Sequence, residues 1–144
     1  MSEPTIDPSA ANFAAFKALP RDEPIHMLNL LRFRDRAEYP TDHEHAGKGW
    51  SGRRAYVEYG KASGPVFARV GGRIVWRGLF QTVVTGPEAM RWDNGFIAAY
   101  PDSAAFFAMI KDPEYGAAVI NRTAALADSR LIRFKPGPAG DGFG

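Results

Sequence analysis

Few side chains in this chain do chemistry on their own, and the first to stand out is an amide. Residues 24–33 read PIHMLNLLRF, an apolar stretch of strand length with Asn29 in its middle. A buried side-chain amide costs free energy unless its hydrogen bonds are met. Asn29 is therefore the leading candidate to orient a ligand carbonyl or carboxylate. The bland alternative is an amide that satisfies a neighbouring strand or a bridging water. Trp76, Trp92, Phe96 and Tyr100 suit the walls of an apolar cavity, and equally the core of a dimer. Tyr56 and Tyr59 share a helix, where a buried ring can leave its hydroxyl at a cavity mouth. Arg122 suits an anionic ligand; the plainer reading of Arg122 and Asp128 is an ion pair or backbone capping at a helix-to-strand turn. Asp93 acts as a general base only if burial raises its pKa, and pairing with an arginine or capping a turn is its simpler role.

Only three histidines are present. His26 is expected on the side of its strand away from Asn29. His43 and His45 alternate in DHEH, a spacing that binds a metal only in extended chain and with further ligands. No metal and no cofactor are expected. No serine-histidine-acid set or phosphate loop appears, and GRIVWRG lacks the glycine spacing of a dinucleotide fingerprint. The candidate ligand pocket is accordingly Asn29, Tyr56, Trp76, Asn94, Phe96 and Arg122.

The bulk properties narrow the classes. The chain has 144 residues, the length of a single domain and enough to bury roughly 68–70% of its unfolded surface. A net charge of +2 is spread along the chain, and its densest basic patch, RFRDR at 32–36, is broken by Asp35. Nucleic-acid binders concentrate such charge, so no nucleic-acid partner is expected. The absence of cysteine excludes disulfides and thiol chemistry. MSEPTIDPSA is acidic and lacks an apolar core, unlike a signal peptide, and no apolar run approaches the ~20 residues that span a bilayer. A cytoplasmic protein without a membrane partner is the default expectation.

The elements that must position these residues follow from periodicity and punctuation. Ser9 or Asn12 can cap a short helix through Leu19, with Phe13, Phe16 and Leu19 on one stripe. A strand runs over 25–33. Residues 34–50 form a long polar loop, a length often functional or mobile. Ser51 caps a helix over 51–70, with a kink expected at Gly64-Pro65 and an end at Gly71-Gly72. Strands follow over 73–86, where Gly78 could mark a bulge, and over 92–100, joined by a short turn as a hairpin. Asp102 or Ser103 caps the next helix, Pro113 restarts helix as its first residue, and Asp128 ends it before a strand at 129–135. After the first helix the order is β-α-β-β-α-β, the ferredoxin-like pattern of an α+β fold with one four-stranded antiparallel sheet. The domain is expected at 24–135, after an N-terminal extension at 1–23 and before a flexible glycine-rich tail at 136–144.

Both main helices then lie on one sheet face, and the other must be polar or covered. Small residues suit a face packed closely by helices, which puts Leu28, Leu30, Gly95, Ile97 and Ala99 on the helix side. The bare face would carry Asn29, Phe33, Asn94, Phe96 and Tyr100, joined by Trp76 and Phe80 if Gly78 does not shift the strand phase. A monomer rarely exposes such a patch, so a second copy is expected to cover it, with Asn29 pointing into the shared interior.

Several stretches together then resemble a known family: MLNLLRFRDRAEYP, AYVEYG, GGRIVWRG, RWDNGFIAAYP, AFFAMIKDPEY and RTAALADSRLI. In order and spacing, from about Pro24 to Arg133, they resemble the domain-of-unknown-function family 1330 of the dimeric α/β-barrel superfamily. The resemblance implies a homodimer of ferredoxin-like subunits. It implies no activity, because the family carries no settled one. More distant relatives include cofactor-free monooxygenases, lactone isomerases, polyketide cyclases and haem enzymes, a range across which fold transfers no catalytic residue. The expectation is a small-molecule-binding homodimer with its cavity between sheet and helices at the dimer centre. Cofactor-independent chemistry on a compact apolar or aromatic substrate is the activity that fits it. The rival is a non-catalytic dimerisation or ligand-sensing module whose aromatic face is filled by its partner.

Overall fold

A computed structural model describes residues 3–144; Met1 and Ser2, the start of the expected extension, lie outside the described residues. Side-chain caps start each helix, as the sequence predicts. Ser9 Oγ accepts the Asn12 N–H at the head of α1 (Ala10–Ala18), and Ser51 Oγ accepts the Arg54 N–H at the head of α2 (Gly52–Arg69). Asp102 caps α3 (Ser103–Lys111), and Asp112 caps α4 (Pro113–Ala125), which opens on its proline. Such caps satisfy N–H groups that have no partner within the helix. Just past the end of α2 stands Gly71, whose φ of +86° is the left-handed conformation that glycine adopts without steric penalty.

The strands are β1 (Ile25–Phe33), β2 (Arg73–Leu79), β3 (Asn94–Tyr100) and β4 (Leu126–Phe134). They form one antiparallel sheet in the order β2-β3-β1-β4. This is the ferredoxin-like arrangement of an α+β fold, with both main helices on one face and α1 added in front. The core lies between sheet and helices. Ile25 and Met27 of β1 and Ala98 and Tyr100 of β3 are buried with Val66, Met109 and Tyr115 of the helices.

Four local expectations are corrected. α2 runs unbroken through Pro65; the carbonyl that proline leaves without its helical partner belongs to exposed Lys61, where water can satisfy it. β2 stops at Leu79, because its partner begins at Asn94 opposite it; residues 80–93 form a long connection instead of a tight hairpin. The β2 bulge falls between Ile74 and Trp76, not at Gly78. α4 ends at Ala125, and Asp128 sits inside β4.

The larger correction concerns the faces. Met27, Asn29, Phe96, Ala98 and Tyr100 lie on the helix side, where they line one cavity with the helical residues Tyr56, Tyr59 and Tyr115. His26, Leu28, Ile97 and Phe134 share the outer side. The small residues that suggested a helix-packed surface have another use. Trp76 pairs with Ile97, and its indole lies against Gly78 and Gly95 on the outer face. The glycines make room for a neighbouring strand's indole, and the bulge is what turns Trp76 outward.

Candidate functional site

The helices stand off the sheet and leave a cavity of about 1550 Å³ between them. This exceeds the roughly 300–1,000 Å³ of a typical small-molecule pocket, because it extends from the N-terminal segment to β2. Its walls are aromatic. Tyr56, Tyr59 and Tyr115 succeed one another with ring centroids 5.2 and 6.1 Å apart, and Phe33 backs Tyr56 at 5.4 Å. Tyr100 continues the lining between Phe67 and Phe106, at 5.4 Å from each.

The structure brings five of the six candidate pocket residues together in this lining: Asn29, Tyr56, Asn94, Phe96 and Arg122. Trp76 lies on the opposite face of the sheet, for the reason given above. Asn29 donates through Nδ2 to the Met27 carbonyl at 3.0 Å, two residues back on its own strand. That bond holds the amide plane and leaves Oδ1 as an acceptor for the cavity. Asn94 Oδ1 accepts from Arg53 at 3.4 Å. Arg122 forms no ion pair with Asp128; it donates to the Ile6 carbonyl at 2.9 Å.

Three tyrosines of the lining are held as neutral phenols. Burial pushes Tyr56 up, opposed in part by the Arg122 guanidinium. Burial pushes Tyr59 well up, helped by Tyr115 nearby, and burial does the same to Tyr100. The Tyr59 and Tyr115 hydroxyls lie 2.8 Å apart. One of them donates to the other, which leaves the second proton free to donate elsewhere. The polar equipment is therefore weighted towards donors: Arg122, the Tyr56 hydroxyl and one proton of the tyrosine pair. Among the described residues Asp7 is the one carboxylate in the lining, and no histidine joins it.

The other candidates lie elsewhere. Asp93 accepts the Phe33 N–H at 2.8 Å and faces Arg53 at 3.9 Å, the turn-fixing role. Trp92 is buried beneath the Arg130 guanidinium. His43 stacks on Tyr39 and His45 on Trp50, with centroids 4.8 and 4.4 Å apart. These rings fold the 34–50 loop onto itself, and the Tyr39 hydroxyl ties it to Asn121 of α4 at 2.6 Å. No residue of that loop lines the cavity. Among the described residues no three His, Asp or Glu side chains gather as a metal site, and no helix is long and apolar enough to cross a membrane.

Sequence reasoning missed the contribution of residues 5–19, which form a wall of the cavity. Asp128 fixes this segment. Its Oδ1 accepts the Thr5 N–H at 2.9 Å, the Ser129 N–H at 2.8 Å and the Arg130 guanidinium at 2.7 Å. Thr5 in turn bonds the Ser129 backbone in both directions. No local pattern announces so distant a clasp. The Tyr59–Tyr115 pair was half legible, since Tyr59 follows Tyr56 on one helical stripe, but its partner is 56 residues away.

Residues 51–133 match the family model described as a domain of unknown function, DUF1330. The match begins after β1, a central strand of the sheet. A protein of unknown function from Rhodopseudomonas palustris, solved by crystallography, is 50% identical, with 94% of this chain and 99% of that one covered and a TM-score of 0.85. The crystal structure of its methylated form gives 48% identity, 97% and 100% coverage and a TM-score of 0.87. SnoaB, a cofactor-independent oxygenase from Streptomyces nogalater, is 14% identical over 81% of this chain and 96% of that one, with a TM-score of 0.51, a likeness of fold alone. No curated protein matches the chain.

Proposed function

The chain belongs to the DUF1330 family, and from the cavity it builds within that fold we propose that it works as a homodimer that binds a compact apolar or aromatic small molecule. The observation that carries this reading is the cavity itself. An aromatic volume of this size with a few convergent polar groups is how small-molecule sites are made. The functional unit is residues 24–135, with residues 5–19 supplying one wall. Any turnover there proceeds by positioning and polarisation. Neutral phenols and a guanidinium stabilise developing negative charge on an oxygen, and the lining offers them in preference to a carboxylate or imidazole that could act as a general base.

The rival interaction module needs a partner to fill the aromatic face. Asn29, Tyr56 and Phe96 instead surround space inside one subunit, which favours the binding reading. The partner's place is the outer sheet face. There Trp76, Ile132 and Phe134 are 51%, 42% and 52% exposed, an apolar patch of the kind that marks an interface.

The test is non-denaturing mass spectrometry of the protein purified from its own host. A dimer carrying a reproducible extra mass is expected, with Asn29→Ala giving a bare dimer. A soluble folded monomer would refute the assembly. Full occupancy in Asn29→Ala would remove Asn29 from the site.

A further inference from the structure

Four arginines line the cavity, against one aspartate. Two of them are already neutralised: Arg130 pairs with Asp128 at 2.7 Å, and Arg133 faces Glu23 at 3.6 Å. Arg122 and Arg77 form no ion pair among the described residues. Arg77 is exposed on β2. Arg122 is half-buried on α4, and such a position makes a missing counter-ion costly.

The neighbourhood of Arg122 sharpens the point. One Nη donates to the Ile6 carbonyl at 2.9 Å. Tyr56 and Tyr59 line the same cavity as Arg122, and the guanidinium's charge acts on both phenols. Asp7 follows Ile6 in the chain but is exposed and does not pair with Arg122. A guanidinium offers five N–H donors in a planar fork, more than one carbonyl can use. A cluster of donors with an uncompensated positive charge in an aromatic cavity specifies its ligand from two sides. The body must be apolar and flat enough to lie among rings. The head must be an acceptor and is best satisfied when it carries negative charge.

We infer that the ligand is an aromatic or similarly compact apolar anion, a carboxylate or a stabilised enolate or phenolate, whose charged oxygen is held by Arg122 with Tyr56 beside it. This deepens the proposed function and rests on it. Arg122 is the specificity-determining residue, and a neutral or cationic analogue of the same shape is disfavoured.

The experiment uses three probes of one shape: 2-naphthoate, 2-naphthamide and 2-naphthylmethylammonium, each titrated calorimetrically into the 144-residue protein. The carboxylate is expected to bind about tenfold or more tighter than the amide, one charge-assisted hydrogen bond being worth at least that factor, and the ammonium most weakly. Arg122→Gln should erase the preference for carboxylate over amide. Arg122→Lys should keep part of it. Hydrogen exchange at Thr5 and Ile6 reports whether either variant has released the N-terminal wall. Arg77→Gln, at an exposed position, should leave most of the preference in place. Equal binding of carboxylate and amide by the parent protein would refute the inference and leave the cavity's role standing, as would a preference unchanged in Arg122→Gln. Failure of all three probes to bind would instead strike at the proposed function.

Discussion

Gly52 is the position where one added methyl group should do most harm. It opens α2 where three stretches of backbone converge: the residues just past β1, the start of α2 and the end of α4. A Cβ at Gly52 would fall on the Arg34 carbonyl oxygen, and would lie 2.6 Å from the Ala125 carbonyl oxygen and 2.7 Å from the Arg34 nitrogen. All three are backbone atoms and cannot swing aside. The same atoms are tied together, Gly52 N–H to Arg34 at 3.0 Å and Arg34 N–H to Ala125 at 2.8 Å. Relief of the clash in Gly52→Ala therefore means overpacking strain of about 1–3 kcal/mol and weakening of two backbone bonds worth about 0.5–1.5 kcal/mol each. Alanine's better helix propensity returns up to about 1 kcal/mol. The net loss is on the order of 2–4 kcal/mol, which at about 3–4 °C per kcal/mol for a domain of this size lowers Tm by roughly 10 °C. Gly116→Ala is the matched control, because it lies in α4, is exposed and has open space around its would-be Cβ. It should raise Tm by about 2–3 °C through propensity alone. Thermal unfolding followed by circular dichroism compares the two. A Gly52→Ala protein melting within about 2 °C of the parent would refute the steric argument. The same change should loosen the cavity, since Tyr56 stands one turn further along the helix.

The remaining expectations follow from charge and surface. Burial raises the Asp128 carboxyl, but the bonds from Thr5, Arg130 and Ser129 outweigh it and hold the group below its ordinary value of 3.8. Its stabilising effect is thus complete above about pH 4 and lost as pH falls through the lower folded value. Acidification should release the N-terminal wall first, read as faster hydrogen exchange at Thr5 and Ile6; exchange there unaffected by Asp128→Ala would show that the clasp lies elsewhere. Tyr56, Tyr59 and Tyr100 are shifted the other way. The unfolded phenols ionise near pH 10 and the folded ones later, so stability should fall as pH rises past about 10. Thermal melts between pH 9 and 11 should show a smaller decline in Tyr56→Phe. Ile132→Glu places a charge on the exposed outer face and should convert the proposed dimer to a folded monomer in sedimentation analysis; an unchanged dimer would move the interface to another surface.

Much of the fold was legible because its signals are local. Ser9, Ser51, Asp102 and Pro113 start helices wherever they stand, since capping involves only the next few N–H groups. The order of elements, and with it the ferredoxin-like topology, followed from period and punctuation. β1 came out with the bounds expected, because nine residues of apolar pattern lie between clear breaks. β2 did not, because its length depends on where its neighbour begins, and no residue within 80–86 carries that information.

Five of the six candidate pocket residues share one cavity, but on the opposite sheet face from the one expected. Alternation along β1 determines that Met27, Asn29 and Leu31 share a side; it does not say on which side the helices will lie. That was decided by packing between distant elements, and Gly95 of β3 misled because it accommodates Trp76 instead of a helix. A one-residue bulge in β2 moved Trp76 out of the pocket, and a bulge shifts every later side chain by one face. From the sequence alone came the amide, the tyrosine stripe and the arginine. Only the tertiary structure could bring Tyr115 to Tyr59, close the wall with residues 5–19, and leave Arg122 without a counter-ion among the described residues. Each of those depends on contacts between segments far apart in the chain, set by how helices and sheet fill space against one another.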